Sequence, residues 1–187
     1  MEAKYLKAIK AGLICAVIII LTRFASHFIF DWALSKPSVR EWAAQQSLNP
    51  VYYPPGTTDI PPEVMIAGIA LIAGGLIIFA LYVLAGILAA WFTAKAATGM
   101  ADLLIAGAIA GAVSQAVSVP FQLGFILLSN MYYGGVGSLM GDIQSWLLSA
   151  LIGELIVYSI IAAILAAIAA LLTGAMIKAF GKKHRVE

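Results

Sequence analysis

The chain has 187 residues, of which 63% are hydrophobic and only 11% charged, and its mean hydropathy is +1.00. A soluble domain carries about 25% charged residues, so this composition excludes an ordinary soluble fold and points to the membrane. The net charge is only +2, and its placement matters more than its size, while the single cysteine, Cys15, excludes an intramolecular disulfide and a thiolate zinc cage.

Spanning a bilayer takes about 20 apolar residues, and four segments supply them: roughly 6–34, 64–96, 103–129 and 146–177. None is long enough to hold two spans and a turn. The expected fold is therefore all-α: one polytopic membrane domain over residues 1–187, a four-transmembrane-helix up-down bundle with a long outer loop over 35–63.

Lys4, Lys7 and Lys10 precede the first segment like the basic start of a signal peptide. However, Arg23, Phe24, Ser26 and His27 give no small-residue cleavage site, and the helical pattern runs on to Trp32. An uncleaved span is expected, with Cys15 as a small packing residue. Arg23, His27 and Asp31 fall at i, i+4 and i+8, on one helix face.

In the loop that follows, Ser38 and Glu41 have the spacing of a capping box, which predicts a short helix over 39–46 with Trp42 toward the membrane or the bundle. Pro50, Pro54, Pro55, Pro61 and Pro62, interleaved with Tyr52 and Tyr53, then predict an extended stretch. It reads as a strap over the outer mouth or as a partner-binding surface.

The second span has a seam of Gly68, Gly75 and Gly86, with Gly74 offset, and its Tyr82 reads as a packing residue. Around 97–101 a tight turn is expected. Thr98-Gly99 would close one helix, and Asp102 would open the next at its positive dipole end.

The third span carries Gly107 and Gly111 as a GxxxG pair for close helix approach. Gln115, Ser118 and Gln122 then follow at i, i+3 and i+7 on one face. Pro120 frees the carbonyl of Ala116 and should bend the helix. Gly134, Gly135, Gly137 and Gly141 predict a flexible loop over 130–145. The last span has an alanine seam through Ala162, Ala163, Ala166, Ala167, Ala169 and Ala170, and carries Glu154 and Tyr158.

Charge sets the orientation. Lys4, Lys7, Lys10, Lys95, Lys178, Lys182, Lys183 and Arg185 fall on one side, and only Lys36 and Arg40 on the other. By the positive-inside rule both termini are cytoplasmic. Trp32 and Trp146 then mark the outer interface and Trp91 the inner one. The basic tail sets topology and attracts anionic lipid secondarily.

Arg23 and Glu154 are the only fully charged side chains deep in the spans. Arg23 lies nine residues from Trp32 and Glu154 eight from Trp146, which places them ~13 and ~12 Å below the outer interface. A charge at such depth is costly, and is usually paired or functional. The candidate ligand- or ion-binding set is Arg23, His27, Gln115, Ser118, Gln122, Glu154 and Tyr158.

On this reading the protein is a component of a transporter or channel in the cell membrane. Arg23 would serve as counter-charge and Glu154 as a protonatable or cation-binding carboxylate. Four helices enclose little space, so a pathway would need a homo-oligomer or partner membrane subunits. The alternatives are a non-transporting scaffold packing through its Gly/Ala faces, and an intramembrane lipid-modifying enzyme with His27 and Glu154 as acid and base. The cluster also reads as a purely structural polar core, with Arg23 snorkelling outward. No phosphate loop, nucleophile elbow or HExxH motif occurs, and no metal, cofactor or nucleic acid is expected.

Overall fold

In hydrocarbon every backbone N–H and C=O must be satisfied within the chain, which leaves the helix as the one structure an isolated apolar segment can adopt. The computed structural model describes residues 2–48, 60–133 and 140–183, with side chains described for 2–42, 60–122, 124, 153 and 155–180. The described residues contain no strand. They form α1 (Ala3–Leu34), α2 (Pro37–Leu48), α3 (Pro62–Thr93), α4 (Met100–Tyr133) and α5 (Met140–Lys183). Four of these, all but α2, contain stretches long and apolar enough to cross a membrane. The protein is thus a small multi-pass integral membrane protein. Pro50, Tyr52, Tyr53, Pro54, Pro55, Gly134, Gly135, Gly137, His184 and Arg185 lie outside the described residues.

Several boundaries differ from expectation. The short helix α2 begins at Pro37, so Ser38 sits inside its first turn instead of capping it. Proline suits that position, because its fixed φ is helical and its missing N–H would have been unpaired anyway. The second span ends at Thr93, so Thr98-Gly99 belongs to the start of α4 and not to the end of α3. There the Thr98 N–H and Oγ1 both donate to Asp102 Oδ2 at 2.8 Å, and Asp102 holds the first turn of α4 as expected. Gly141 lies inside α5, which begins at Met140, so the connection after Tyr133 is shorter than the predicted loop. Pro120 lies within a helix that continues through it.

Length settles one question the apolar pattern left open. A helix of 44 residues is ~66 Å long. Crossing an apolar layer of ~30 Å uses only ~39 Å even at the steepest usual tilt. The helix α5 therefore extends beyond the hydrocarbon.

The chain divides into two compact units, one of residues 1–21 with 78–187 and the other of residues 22–77. In the first unit, α4 is the helix the others pack around. Half of its apolar window is buried, against 22% for α1 and 17% each for α3 and α5. Small residues make this possible, since lipid tails are as apolar as leucine and only close packing draws helices together. A Cβ at Gly107 would strike Ala166 and Ala170, and one at Gly111 would strike the Ala162 carbonyl, so α4 and α5 meet backbone to backbone. Gly86 of α3 sits equally close to Ala166, and Gly12 of α1 to Ala110 and Val113. Ala8, Ala11, Cys15, Ala85, Ala89, Ala106 and Ala110 fill the centre. Lys4 Nζ donates to Asp102 Oδ1 at 2.8 Å, which ties the start of α1 to the start of α4.

The second unit holds the later part of α1, α2 and the first part of α3. Ser26 Oγ donates to the Thr22 carbonyl at 3.0 Å, and a Cβ at Gly74 would run into that hydroxyl. The offset glycine thus makes the close approach here. A Cβ at Gly68 or Gly75, both expected in the seam, would meet no heavy atom of a described residue within 4 Å.

Candidate functional site

An amide or hydroxyl inside a membrane helix either bonds across to another helix or bends back to its own carbonyls. The polar face of α4 does both. Ser114, Gln115 and Ser118 are completely buried. Ser114 Oγ donates to the Gly111 carbonyl at 2.7 Å, and Ser118 Oγ to the Gln115 carbonyl at 3.0 Å. The amide of Gln115 reaches across the helix interface, where Tyr82 of α3 donates its OH to Gln115 Oε1 at 2.5 Å. Ser118 Oγ stands 3.5 Å from the same oxygen.

Tyr82 is also completely buried. It lies in a cluster with Ile19, Leu81 and Ala162, with Ile78 and Leu165 packed against them, and the edge of Phe79 meets its ring. Reading Tyr82 as mere packing therefore missed its role as the interhelical donor. The signal was present in the sequence: between Glu63 and Trp91, Tyr82 has the only side-chain oxygen or nitrogen in α3.

The structure brings Gln115 and Ser118 together, and Gln122 lies half-buried further along α4. Tyr158 on α5 is 41% exposed. The backbone of Glu154 is part of α5, but its side chain lies outside the described residues. These five residues belong to the first unit, whereas Arg23 and His27 belong to the second.

On α1, Thr22, Arg23, Ser26, His27 and Asp31 are all half-buried, while Leu21, Phe24, Phe28 and Phe30 are exposed. Polar groups thus turn toward protein and apolar ones toward lipid, as the cost of charge in hydrocarbon demands.

Chemically, the Tyr82–Gln115–Ser118 group is neutral near pH 7. It can donate and accept hydrogen bonds, but it brings no charge to an ion. Among the described residues, no group of three His, Cys, Asp or Glu side chains is placed to hold a metal. Compared with protein-family models, curated proteins and solved structures, the chain matches none.

Proposed function

We propose that the protein is a non-conducting accessory or scaffolding subunit of a membrane assembly, with a polar core that fixes its own helix packing. One observation carries this reading: Gln115 and Ser118, two of the three residues of the polar stripe on α4, are sealed. A conducting path needs water or substrate at its polar groups, whereas Gln115 and Ser118 have no exposed surface and face Tyr82. The outward surfaces suit a subunit that meets lipid and other helices. Ile69, Ile72 and Leu76 on α3 and Ile160, Ile164 and Leu172 on α5 are exposed. Among the first three, Gly68 and Gly75 leave notches that no described residue fills, a surface suited to close helix approach. In this reading both termini are cytoplasmic, the membrane is the cell membrane, and a second copy or another subunit completes the assembly.

A second reading, a transporter or channel component, is favoured by the half-buried Arg23 and His27 on α1. It keeps Glu154 as the carboxylate that would carry a proton or a cation.

Cysteine accessibility separates the two. In a Cys15→Ala background, Ser118→Cys should resist a small water-soluble thiol reagent in the folded protein and react only after denaturation. Fast labelling in the folded state would overturn the sealed-core reading in favour of a wet path along α4.

A further inference from the structure

At the end of the first unit that carries Lys4 and Asp102, α3 and α5 leave a groove on their outer side. Its origin lies in residue size. Gly86 against Ala166, and Ala90 clustered with Ala170, hold the two backbones close. One turn further, large side chains stand up on either side of small ones. Trp91, Met176 and Phe180 stand as walls around a floor of half-buried Ala94 and Thr173, leaving an open groove of about 540 Å³. That volume lies within the usual range for sites that hold small molecules. The walls are open to the surroundings: Trp91 is 71% exposed, Phe180 64% and Met176 59%. Lys95 also lines the groove, one turn beyond Trp91, and is exposed.

Tryptophan favours the headgroup level of a bilayer. Trp91 therefore sets the groove astride the boundary, with the apolar part toward hydrocarbon and Lys95 toward the headgroups. Among the described residues the charge around it is predominantly basic. Glu2 and Asp102, the acids described near this end, both bind Lys4, at 2.9 and 2.8 Å. Against these two acids stand five described lysines at this end, Lys4, Lys7, Lys10, Lys95 and Lys178, a formal excess of three.

From this combination we infer a binding site for one anionic phospholipid, with an acyl chain in the groove and the phosphate against Lys95. The occupant is a lipid because the lining is apolar and faces outward from the spanning helices. It is anionic because Lys95 stands at the rim of an end where, among the described residues, lysines outnumber acids and both acids bind Lys4. The inference is independent of whether the α4 core conducts.

The test uses the full chain in nanodiscs of equal phosphatidylglycerol and phosphatidylcholine with matched acyl chains, read by native mass spectrometry. Wild type should retain one phosphatidylglycerol in preference to phosphatidylcholine. Lys95→Gln should lower that preference about fivefold, and Lys95→Arg should keep it. Thr173→Leu, which fills the floor, should reduce retention of both lipids. An unchanged preference in Lys95→Gln would overturn the site, as would equal retention of the two lipids by wild type. Displacement by inorganic phosphate would reassign Lys95 to a free anion. A photo-reactive residue at position 176 that crosslinks to a second copy or another protein, and not to lipid, would overturn it too.

Discussion

A phenol hydroxyl inside an apolar helix must find an acceptor or forfeit its hydrogen bond, and at Tyr82 the acceptor is Gln115 Oε1. Interhelical hydrogen bonds in membranes contribute modestly, because the separated helices also find partners. Tyr82→Phe should therefore cost only about 1 kcal/mol, softened because the Ser118 hydroxyl can swing from the Gln115 carbonyl to Oε1. Gln115→Leu should cost more, since it leaves the Tyr82 hydroxyl buried without this acceptor. Removing both partners, in Tyr82→Phe with Gln115→Leu, should recover most of the loss, as replacing both groups of a buried pair by apolar ones is nearly neutral. Steric-trapping measurements in bicelles give the four stabilities of this cycle. Strictly additive losses would mean that the two side chains are not coupled.

At the scale of the element, the close seams on α3 and α4 separate positions that sequence spacing treats alike. Gly86 and Gly111 each have an α5 carbonyl where a Cβ would go, while no described residue comes within 4 Å of a Cβ at Gly75. A side chain at the first two would have to push whole backbones apart, and overpacking of that kind costs up to about 3 kcal/mol or more. Gly86→Leu and Gly111→Leu should therefore lower the thermal midpoint sharply and shift the protein toward aggregates on size exclusion. Gly75→Leu should leave the midpoint within a few degrees of wild type. If Gly75→Leu leaves folding intact but loses a co-purifying partner, it locates an intermolecular helix contact.

For the whole molecule, the register of α1, α3, α4 and α5 in the first unit decides where the chain ends lie. Lys4 meets Asp102, Gly12 meets Ala110, and Gly174 meets Leu103, so the start of α1 and the last part of α5 share one end. Only the basic excess there indicates which side of the membrane this end faces. In a Cys15→Ala background, Lys7→Cys and Lys178→Cys should both resist an impermeant maleimide in intact cells and both react once the cells are opened. Labelling of both in intact cells would reverse the orientation. Labelling of one alone would break the shared-end topology.

Hydropathy by itself determined that the chain forms helices, four of them among the described residues long and apolar enough to cross a membrane, because a backbone in hydrocarbon has so few ways to satisfy its hydrogen bonds. The reading of Cys15 and of the α5 alanines as packing residues followed from size alone: Cys15 lies in the central cluster, and Ala162, Ala166, Ala169 and Ala170 are buried. Helical spacing likewise placed Gln115 and Ser118 on one face. What spacing could not supply was what that face meets. Whether it lined water or closed on Tyr82 depended on the register between α3 and α4, and register is set by which glycines and alanines nest against each other. Gly68, Gly74 and Gly75 show the same limit: all three are small, but the close approach falls on Gly74 because of how α1 and α3 rotate there, with Ser26 pressed against it. The interfacial groove was equally invisible in the sequence. Its residues sit about 80 positions apart, and only the close backbone contact at Gly86 and Ala166 brings them together.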